Sequence, residues 1–416
     1  VRAGTGALPQ VDTVELETRL VQATRRWQDD LADALLERFG EEAGNRLLQR
    51  YGESFPAGYR EDYAARTAVR DIELIEAARE GQALAMNLYR PIEASSRAFR
   101  FKVYRIGQSI ALSRSLPMLE HLGVRVDEER PYLIEPHGAT AAWVHDFGLE
   151  LTDDVEFDIE QVKALFEHAF AGVWAGAIEN DDFNRLVLRA QLGAREVSIL
   201  RAYAKYLRQV GSTFSDAYIE RAVTGNPTLA RQLVELFLAR FDPAADAPRE
   251  RRTTQLLEAI GAGLDQVPNL DEDRILRQFL GVITATVRTN YFRRDAHGEL
   301  LPYISFKLDP SRVPGLPEPK PMFEIWVYSP RVEGVHLRGG RVARGGLRWS
   351  DRREDFRTEV LGLMKAQMVK NTVIVPVGSK GGFVVKNPPP VTDRESFLRE
   401  GVSCYQTFLR GLLDVT

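Results

Sequence analysis

The chain has 416 residues, which is long enough for two to three domains. A hydrophobic fraction of 44% and a charged fraction of 27% are those of a globular protein, so a disordered or fibrous chain is excluded. The net charge of −4 excludes a protein built as a whole to coat nucleic acid. The single cysteine, Cys404, excludes a disulfide scaffold and a cysteine-rich metal site, and it indicates a reducing compartment.

Targeting and metal signals are absent from the sequence. No run of about 18 apolar residues occurs, and the first residues lack the pattern of a signal peptide, so we expect a cytoplasmic protein without a membrane span. The six histidines show no metal-ligand spacing, so no metal site is predicted. The chain begins with Val1 and ends within a predicted helix at Thr416, which indicates a fragment of a longer protein.

The first half of the chain is predicted to contain a helical region and a small α/β domain. Residues 1–92 are predicted to be helical, with apolar side chains near a single face and Gly40 as a helix stop. Residues 93–180 show the order strand, helix, strand, strand, helix, which is typical of a ferredoxin-like (ACT-like) domain. Such domains often bind amino acids as regulators, but a structural or assembly role is an open alternative.

The second half is predicted to be helical over residues 181–295, including a helix over 271–290, and then α/β over residues 296–416. In this last part we predict strands in YISFKLD and FEIWVYS, a helix over 352–369, a β-rich run TVIVPVG, a Gly-rich loop GSKGG and a final helix from Asp393. Trp326, Trp349 and Cys404 are predicted to be buried. The fold class is therefore a multidomain α+β protein.

The residue types that carry chemistry are concentrated between Arg344 and Lys386. Two glycine pairs occur there, and glycines let the backbone approach a ligand closely. The pairs are Gly345-Gly346 and Gly381-Gly382. Four cations without an acidic residue at an obvious spacing accompany them: Arg344, Arg348, Lys370 and Lys380. Cations that converge on one crevice suit a small dianion or a dicarboxylate.

Lys380 is the candidate for acid–base chemistry. It follows the apolar run VIVPV and lies between glycines, and a lysine among apolar atoms and other cations can act as an acid or base near neutrality, or polarise a carbonyl. The alternative interpretation is a solvated lysine on a surface turn. A phosphate-binding loop is excluded because the G-x-x-x-x-G-K-[ST] spacing is absent.

The order of these residues resembles the substrate-binding segment of glutamate dehydrogenases, most closely the large NAD-specific enzymes of bacteria. Small members of that family have Lys-Gly-Gly-x-Arg, then Gln-x-x-Lys, then Pro and Gly-Gly-x-Lys-Gly-Gly. The corresponding segments are Arg344-Gly345-Gly346-Leu347-Arg348, Gln367-Met368-Val369-Lys370, Pro376 and Gly378-Ser379-Lys380-Gly381-Gly382. Two departures are the arginine at 344, and a missing or replaced glycine before Lys380.

The resemblance implies a role for each matched residue. Lys380 corresponds to the catalytic lysine, which polarises the C2 carbonyl and activates the attacking water. Arg344 corresponds to the residue that binds the side-chain carboxylate, and Gln367 and Lys370 to those that hold the α-carboxylate. The remaining matched residues are assigned to the substrate pocket: Gly345, Gly346, Arg348, Gly381 and Gly382. The implied reaction is the reversible oxidative deamination of L-glutamate to 2-oxoglutarate and ammonia with NAD.

The NAD half of such a site is not found in the sequence. No G-x-G-x-x-G follows a predicted strand, since Gly261-Ala262-Gly263 stands in a helical context and lacks the third glycine. We therefore expect the Rossmann domain, and the catalytic aspartate of the family, to follow Thr416, and this fragment to be inactive alone. We also expect a homo-oligomer, an amino-acid effector at the ACT-like domain by analogy with its fold, and, from the balanced charge, no nucleic-acid partner.

Two other functions are left open by the sequence. One is a regulatory or assembly module in which the basic, glycine-rich segments bind an anionic amino-acid effector. The other is a dehydrogenase for an apolar amino acid, which Arg344 disfavours because the side-chain pocket would then be apolar.

Overall fold

A computed structural model describes residues 25–81, 84–91, 95, 97–152, 158–244, 248–370 and 376–416. These residues divide into two compact units, one within 1–116 and 125–150 and the other within 117–124 and 151–416. Within the described ranges, no helix combines the length and the apolar character that crossing a bilayer requires.

The first unit combines a four-stranded sheet with three helices that precede it and with the start of a fourth helix, α4, of which it contains residues 112–116. Its elements are α1 Trp27–Tyr51, α2 Ala57–Asp62, α3 Ala65–Arg79, β1 Ala85–Tyr89 and β2 Ala98–Ile106, then α4 Leu112–His121, β3 Val124–Ile134 and β4 Ala142–Leu151. The strand order is β1-β2-β4-β3, with β1 and β4 both antiparallel to β2. The order strand, helix, strand, strand predicted after residue 93 is confirmed in β2, α4, β3 and β4. Gly40 has a φ of +77° and interrupts α1, as its predicted role as a helix stop implies.

The prediction of helix up to residue 92 is wrong for residues 85–89. These residues form β1, which pairs along its whole length with β2, from Ala85 opposite Tyr104 to Tyr89 opposite Arg100. A short apolar run has no periodicity that separates a strand from a buried helix, and the neighbouring strand decides between them. The part of the predicted first helix before residue 25 lies outside the described residues.

The core of the first unit joins its helices to its sheet. Leu35 of α1, Ile72 of α3 and Val144 of β4 belong to one buried apolar cluster. A polar group is buried beside it: Lys102 Nζ lies 2.7 Å from a carboxylate oxygen of Asp71. Tyr59 and Tyr104 donate hydrogen bonds to the same carboxylate, so the charge of Asp71 is satisfied by three donors.

The second unit begins with helices. They are α5 Ile159–Trp174, α6 Leu186–Arg189, α7 Ala194–Gln209, α8 Asp216–Thr224, α9 Pro227–Phe241, α10 Arg249–Leu264 and α11 Leu270–Ala285. The predicted helix over 271–290 is wrong for its last turn, because residues 286–289 form a strand that pairs with the next one in sequence. The β-branched residues in Thr-Val-Arg-Thr favour this outcome.

A seven-stranded sheet follows. Its strands are β5 Thr286–Thr289, β6 Ile304–Leu308, β7 Phe323–Tyr328, β8 Val332–Arg338, β9 Ala343–Arg344, β10 Leu347–Trp349 and β11 Val377–Val385, and its helices are α12 Phe356–Lys370 and α13 Arg394–Val415. The strand order is β10-β11-β8-β7-β6-β5, and β9 also pairs with β11. β9 and β10 run parallel to β11, whereas the other neighbouring strands are antiparallel. The predicted final helix is confirmed, since the Asp393 side chain caps α13.

Helices cover both faces of this sheet. α7 and α12 lie on one face, where Trp326 of β7 stacks on Phe356 and donates a hydrogen bond to the carbonyl of Ala202. α13 lies on the other face, where Phe408 packs against Gly334. The predicted burial of Trp326 and Cys404 is confirmed.

Trp349 is not buried as predicted. It is 37% exposed, because it stands on the edge strand β10, although its ring packs against Gly401 and Phe397 of α13 and against Phe383 of β11.

The segment GSKGG, predicted to be a loop, lies within β11. Its glycines serve packing: a Cβ on Gly378 would lie 2.9 Å from side-chain carbons of Gln367, and one on Gly382 would lie 2.5 Å from a methyl group of Val360. α12 therefore approaches the strand backbone at these two glycines. Residues 372–375 of the predicted β-rich run lie outside the described residues.

Gly345 allows a second close approach, at the edge of the sheet. A Cβ on Gly345 would lie 1.4 Å from the carbonyl oxygen of Ser379, so no side chain fits there without movement of the backbone.

We predict that Gly345→Ala destabilises the protein by about 1–3 kcal/mol, because the added methyl group overlaps a backbone atom of β11. Gly362→Ala is the matched control: a Cβ there meets nothing within 4 Å, and in an exposed helix interior the change stabilises by about 1 kcal/mol. Urea denaturation measures both free energies of unfolding. Equal effects of the two substitutions would contradict the packing argument.

His336 of β8 generates a prediction about pH. Burial, together with the charge of Arg338, lowers the pKa of His336 to about 4. An unfolded histidine has a pKa of about 6.5, so between these values the unfolded state binds a proton that the folded state does not. The free energy of unfolding therefore decreases as the pH is lowered through this window.

His336→Gln is expected to make this pH dependence shallower between pH 4 and 6.5, as measured by urea denaturation at several pH values. His297→Gln, at an exposed position, is the control. Parallel pH profiles for His336→Gln and the parent protein would show that His336 is not responsible.

Candidate active site

Lys380 lies in the middle of β11, directly opposite Leu337 of β8. Alternate residues of a strand face the same side, so Lys380 shares a side with Gly378 and Gly382, the two glycines on which α12 packs. The side chain is half-buried and reaches toward the edge of the sheet, where its Nζ lies 4.0 Å from the place of a Cβ on Gly346. The bare backbone of Gly346 thus leaves space beside the ammonium group.

α12 brings Gln367 to the same place. Because Val360 lies over Gly382 and Gln367 over Gly378, the helix runs opposite to β11 and reaches Lys380 with its second half. Lys370 is the last residue of α12, is exposed, and stands three residues after Gln367, which places both near one side of the helix.

Arg344 approaches from the edge strand. It is directly opposite Gly378 in the parallel β9–β11 pair, so it shares the side that α12 covers. From the spacing of strands and of residues along a strand, the Cα atoms of Arg344 and Lys380 are roughly 8 Å apart. The structure therefore brings Arg344, Gln367 and Lys380 to one side of the sheet, beside Gly346.

Three of the four predicted cations have no acidic partner within the part of the chain that the structure describes. No carboxylate there lies within 4.0 Å of the side-chain nitrogens of Arg344, Lys370 or Lys380, whereas neighbouring cations such as Arg352 and Arg357 form ion pairs. Exposed cations left without a carboxylate leave a net positive potential at this edge, which attracts an anionic ligand.

Arg348 differs from the other three, because the fold gives it an acidic partner that stands at no obvious spacing in the sequence. Its Nε lies 2.8 Å from a carboxylate oxygen of Glu359 on α12, and Glu359 also accepts a hydrogen bond of 2.6 Å from Ser350. The partner is eleven residues away in sequence, at a spacing that only the packing of α12 on the sheet brings together. Arg348 thus fastens β10 to α12.

The second glycine pair is buried inside β11. Gly381 faces the opposite side from Lys380, where a Cβ would lie 2.5 Å from Leu347 and 3.1 Å from His336. Its amide donates a hydrogen bond to the carbonyl of Gly346, which ties the two glycine pairs to each other. The pairs hold the edge strands close to Lys380.

Two residues that the sequence did not single out fix α12 in place. Arg357 in its first turn forms a buried ion pair with Glu324 of β7. In sequence, Arg357 continues the charged run from Asp351 to Asp355, and nothing in the pattern separates a buried arginine from its exposed neighbours.

Comparison with known proteins supplies the family. Residues 259–416 match the family "Bacterial NAD-glutamate dehydrogenase, catalytic domain". Three further glutamate dehydrogenase families match the preceding segments: helical motif 3 at residues 178–243, the ACT3 domain at residues 83–162 and helical motif 2 at residues 34–78.

Individual relatives carry the same name, NAD-specific glutamate dehydrogenase. The chain is 51% identical over 407 residues to the protein of Halomonas elongata and 46% identical over 409 residues to that of Pseudomonas aeruginosa. It is 42% identical over 432 residues to that of Mycobacterium tuberculosis. These alignments cover 98–100% of this chain but 25–26% of the relatives, so the chain spans about a quarter of their length. Nearly the whole chain is therefore similar to a part of bacterial NAD-specific glutamate dehydrogenases.

Proposed function

We propose that this chain supplies the dicarboxylate-binding half of an active site that interconverts L-glutamate with 2-oxoglutarate and ammonia, with NAD as the hydride carrier. The observation that carries the proposal is the set of cations without acidic partners at one edge of the sheet: Arg344, Lys370 and Lys380. The names of the relatives support the same reaction.

Each cation has a distinct task in this proposal. Arg344, on the edge strand, binds the side-chain carboxylate of the substrate, and its planar guanidinium can do so with two hydrogen bonds. Gln367 and Lys370, on α12, hold the α-carboxylate. Fixing both ends of the substrate places its C2 atom beside Lys380, and hydride transfer depends on such alignment.

Lys380 is the proposed acid–base group. NAD would supply the acceptor for the hydride of Cα, and the substrate would then carry an iminium at C2. The neutral Lys380 amine takes a proton from the water that adds to C2 of the iminium, and the resulting ammonium gives that proton to the nitrogen of the carbinolamine. Ammonia then leaves, and Lys380 takes the hydroxyl proton as the C2 carbonyl forms. Its half-buried position beside Gly346 keeps it near the substrate while limiting access of other water.

The described residues of the seven-stranded sheet do not fit the dinucleotide itself. In the seven-stranded sheet, as far as the structure describes it, two strands lead into a helix, through residues 350–355 and 386–393. Neither connection contains a glycine that would let a pyrophosphate approach a helix N-terminus. We therefore assign the dicarboxylate to this chain and the contacts with NAD to residues outside it, in a Rossmann-type domain.

As part of the proposal we retain the predicted domain limits of 93–180, 181–295 and 296–416, except at the first limit. We place that limit before residue 85, because β1 belongs to the four-stranded sheet. A ferredoxin-like fold for that sheet, an amino-acid effector bound to it and a homo-oligomer are parts of the proposal that rest on the resemblance.

The other two functions are less well supported. A regulatory or assembly module does not account for the match of residues 259–416 to a catalytic domain family. A substrate with an apolar side chain leaves Arg344 without a partner.

We predict that Arg344→Ala weakens the binding of 2-oxoglutarate by this chain about tenfold to a hundredfold, the loss expected for a charge-assisted hydrogen bond. Binding of 2-oxobutyrate, which lacks the second carboxylate, changes little. Isothermal titration calorimetry measures both, with Arg352→Ala as the control for loss of a surface cation. Equal losses for the two ligands would remove Arg344 from the side-chain carboxylate site.

We predict that Lys380→Ala lowers the turnover of the intact enzyme in both directions by about a hundredfold to ten-thousandfold, the range for loss of an acid–base group. Binding of 2-oxoglutarate persists, because Arg344, Gln367 and Lys370 still hold its carboxylates. Steady-state kinetics and calorimetry measure the two effects. Near-normal turnover of Lys380→Ala would exclude Lys380 from the mechanism.

A further inference from the structure

A buried ion pair holds the start of α12 against the sheet. Arg357 is 1% exposed and Glu324 of β7 is fully buried. The guanidinium donates two parallel hydrogen bonds, from Nε to Oε1 and from Nη2 to Oε2, each 2.7 Å long. A bidentate contact of this kind fixes the orientation of the two side chains as well as their distance, because both hydrogen bonds form only when the planar guanidinium and carboxylate groups are aligned.

The stability of the pair does not explain why it is there. Burial opposes the charge on Arg357, but the charge of Glu324 and its hydrogen bonds outweigh that effect and raise the pKa of Arg357. Removing both charges from water has a large cost, and buried ion pairs can often be replaced by apolar residues without loss of stability. A pair of apolar side chains would not fix the orientation of Arg357 relative to Glu324, whereas the ion pair does.

The pair stands in the same row of the sheet as Lys380. Glu324 is directly opposite Leu337, and Leu337 is directly opposite Lys380. Side chains in such a row point to the same side, so the anchor of α12 is two strands away from Lys380, or about 10 Å. From this anchor α12 crosses to the edge of the sheet.

A second contact holds the same end of the helix from another direction. Gln209, the last residue of α7, is 7% exposed, and its side-chain oxygen accepts a hydrogen bond of 3.1 Å from the amide of Arg357. Its side-chain nitrogen donates one of 2.9 Å to the carbonyl of Arg353. Gln209 thus satisfies a helix N-terminal amide that has no partner within the helix.

We propose that Glu324, Arg357 and Gln209 are positioning residues. They set how α12 lies on β11, and thereby aim Gln367 and Lys370 at the α-carboxylate of a substrate placed beside Lys380. None of the three touches the substrate. The proposal rests on the proposed function for the identity of the ligand, and on the geometry alone for the placement of the helix.

The test replaces the ion pair by an apolar pair, Glu324→Met with Arg357→Met. The two methionines fill a similar volume and leave no lone buried charge, so the variant is expected to fold with a melting temperature close to that of the parent. The matched control is Arg352→Met with Asp355→Met, which removes an exposed ion pair at the entry to the same helix. Arg357→Lys is a third variant, which keeps the positive charge but loses the bidentate contact with Glu324.

Two measurements are made on each variant of this chain: the affinity for 2-oxoglutarate by calorimetry, and amide hydrogen exchange over residues 356–370. For the double methionine variant we expect binding weaker by about tenfold or more, because small misplacements of binding groups are costly. We also expect faster exchange in α12 with unchanged exchange in α13. Arg357→Lys falls between this variant and the parent, and the control pair changes affinity less than about twofold, as exposed pairs contribute little.

Unchanged exchange in α12 overturns the proposal, whatever the affinities are. Faster exchange with unchanged affinity overturns it also, since the helix position would then not matter to the ligand. Failure of the parent chain to bind 2-oxoglutarate counts instead against the proposed function, and the exchange data still decide whether the ion pair places the helix.

Discussion

The close approach of α12 to the backbone of β11 is the constraint on which the site depends. It is possible because Gly378 and Gly382 have no side chains where Gln367 and Val360 pack. A side chain at either glycine would push α12 away from β11, and these two elements hold Gln367, Lys370 and Lys380. The glycines therefore act through packing, and the strand remains hydrogen-bonded along its length.

The distribution of charge follows from the same contact. Where α12 lies on the sheet, Arg357 is paired with the buried Glu324, and Glu359 is paired with the exposed Arg348 of β10. Arg344 and Lys380 face the same side of the sheet, and neither forms an ion pair with a carboxylate of the described residues. The fold thus separates arginines that hold the protein together from cations that are available to an anionic ligand.

The resemblance between sequences identified the residues of the site better than it identified their structural setting. The order of Arg344, Gln367 and Lys380 was sufficient to recognise the family, because these residues follow one another in a segment of about 40. The segment around Lys380 was nevertheless predicted to be a loop, since glycines are common in loops and rare in strands. Its place in β11 depends on β8 and β10, which supply the hydrogen bonds on both sides.

The sequence by itself determined the family, the helical regions and the set of candidate site residues, because motif order and helical periodicity are properties of neighbouring residues. Only the tertiary structure decided that residues 85–89 form a strand, that Arg348 is paired with Glu359, and that Arg357 is buried against Glu324. The physical reason is common to all three. A strand forms against a partner strand and an ion pair against an opposite charge, and in each of these cases the partner comes from another part of the chain.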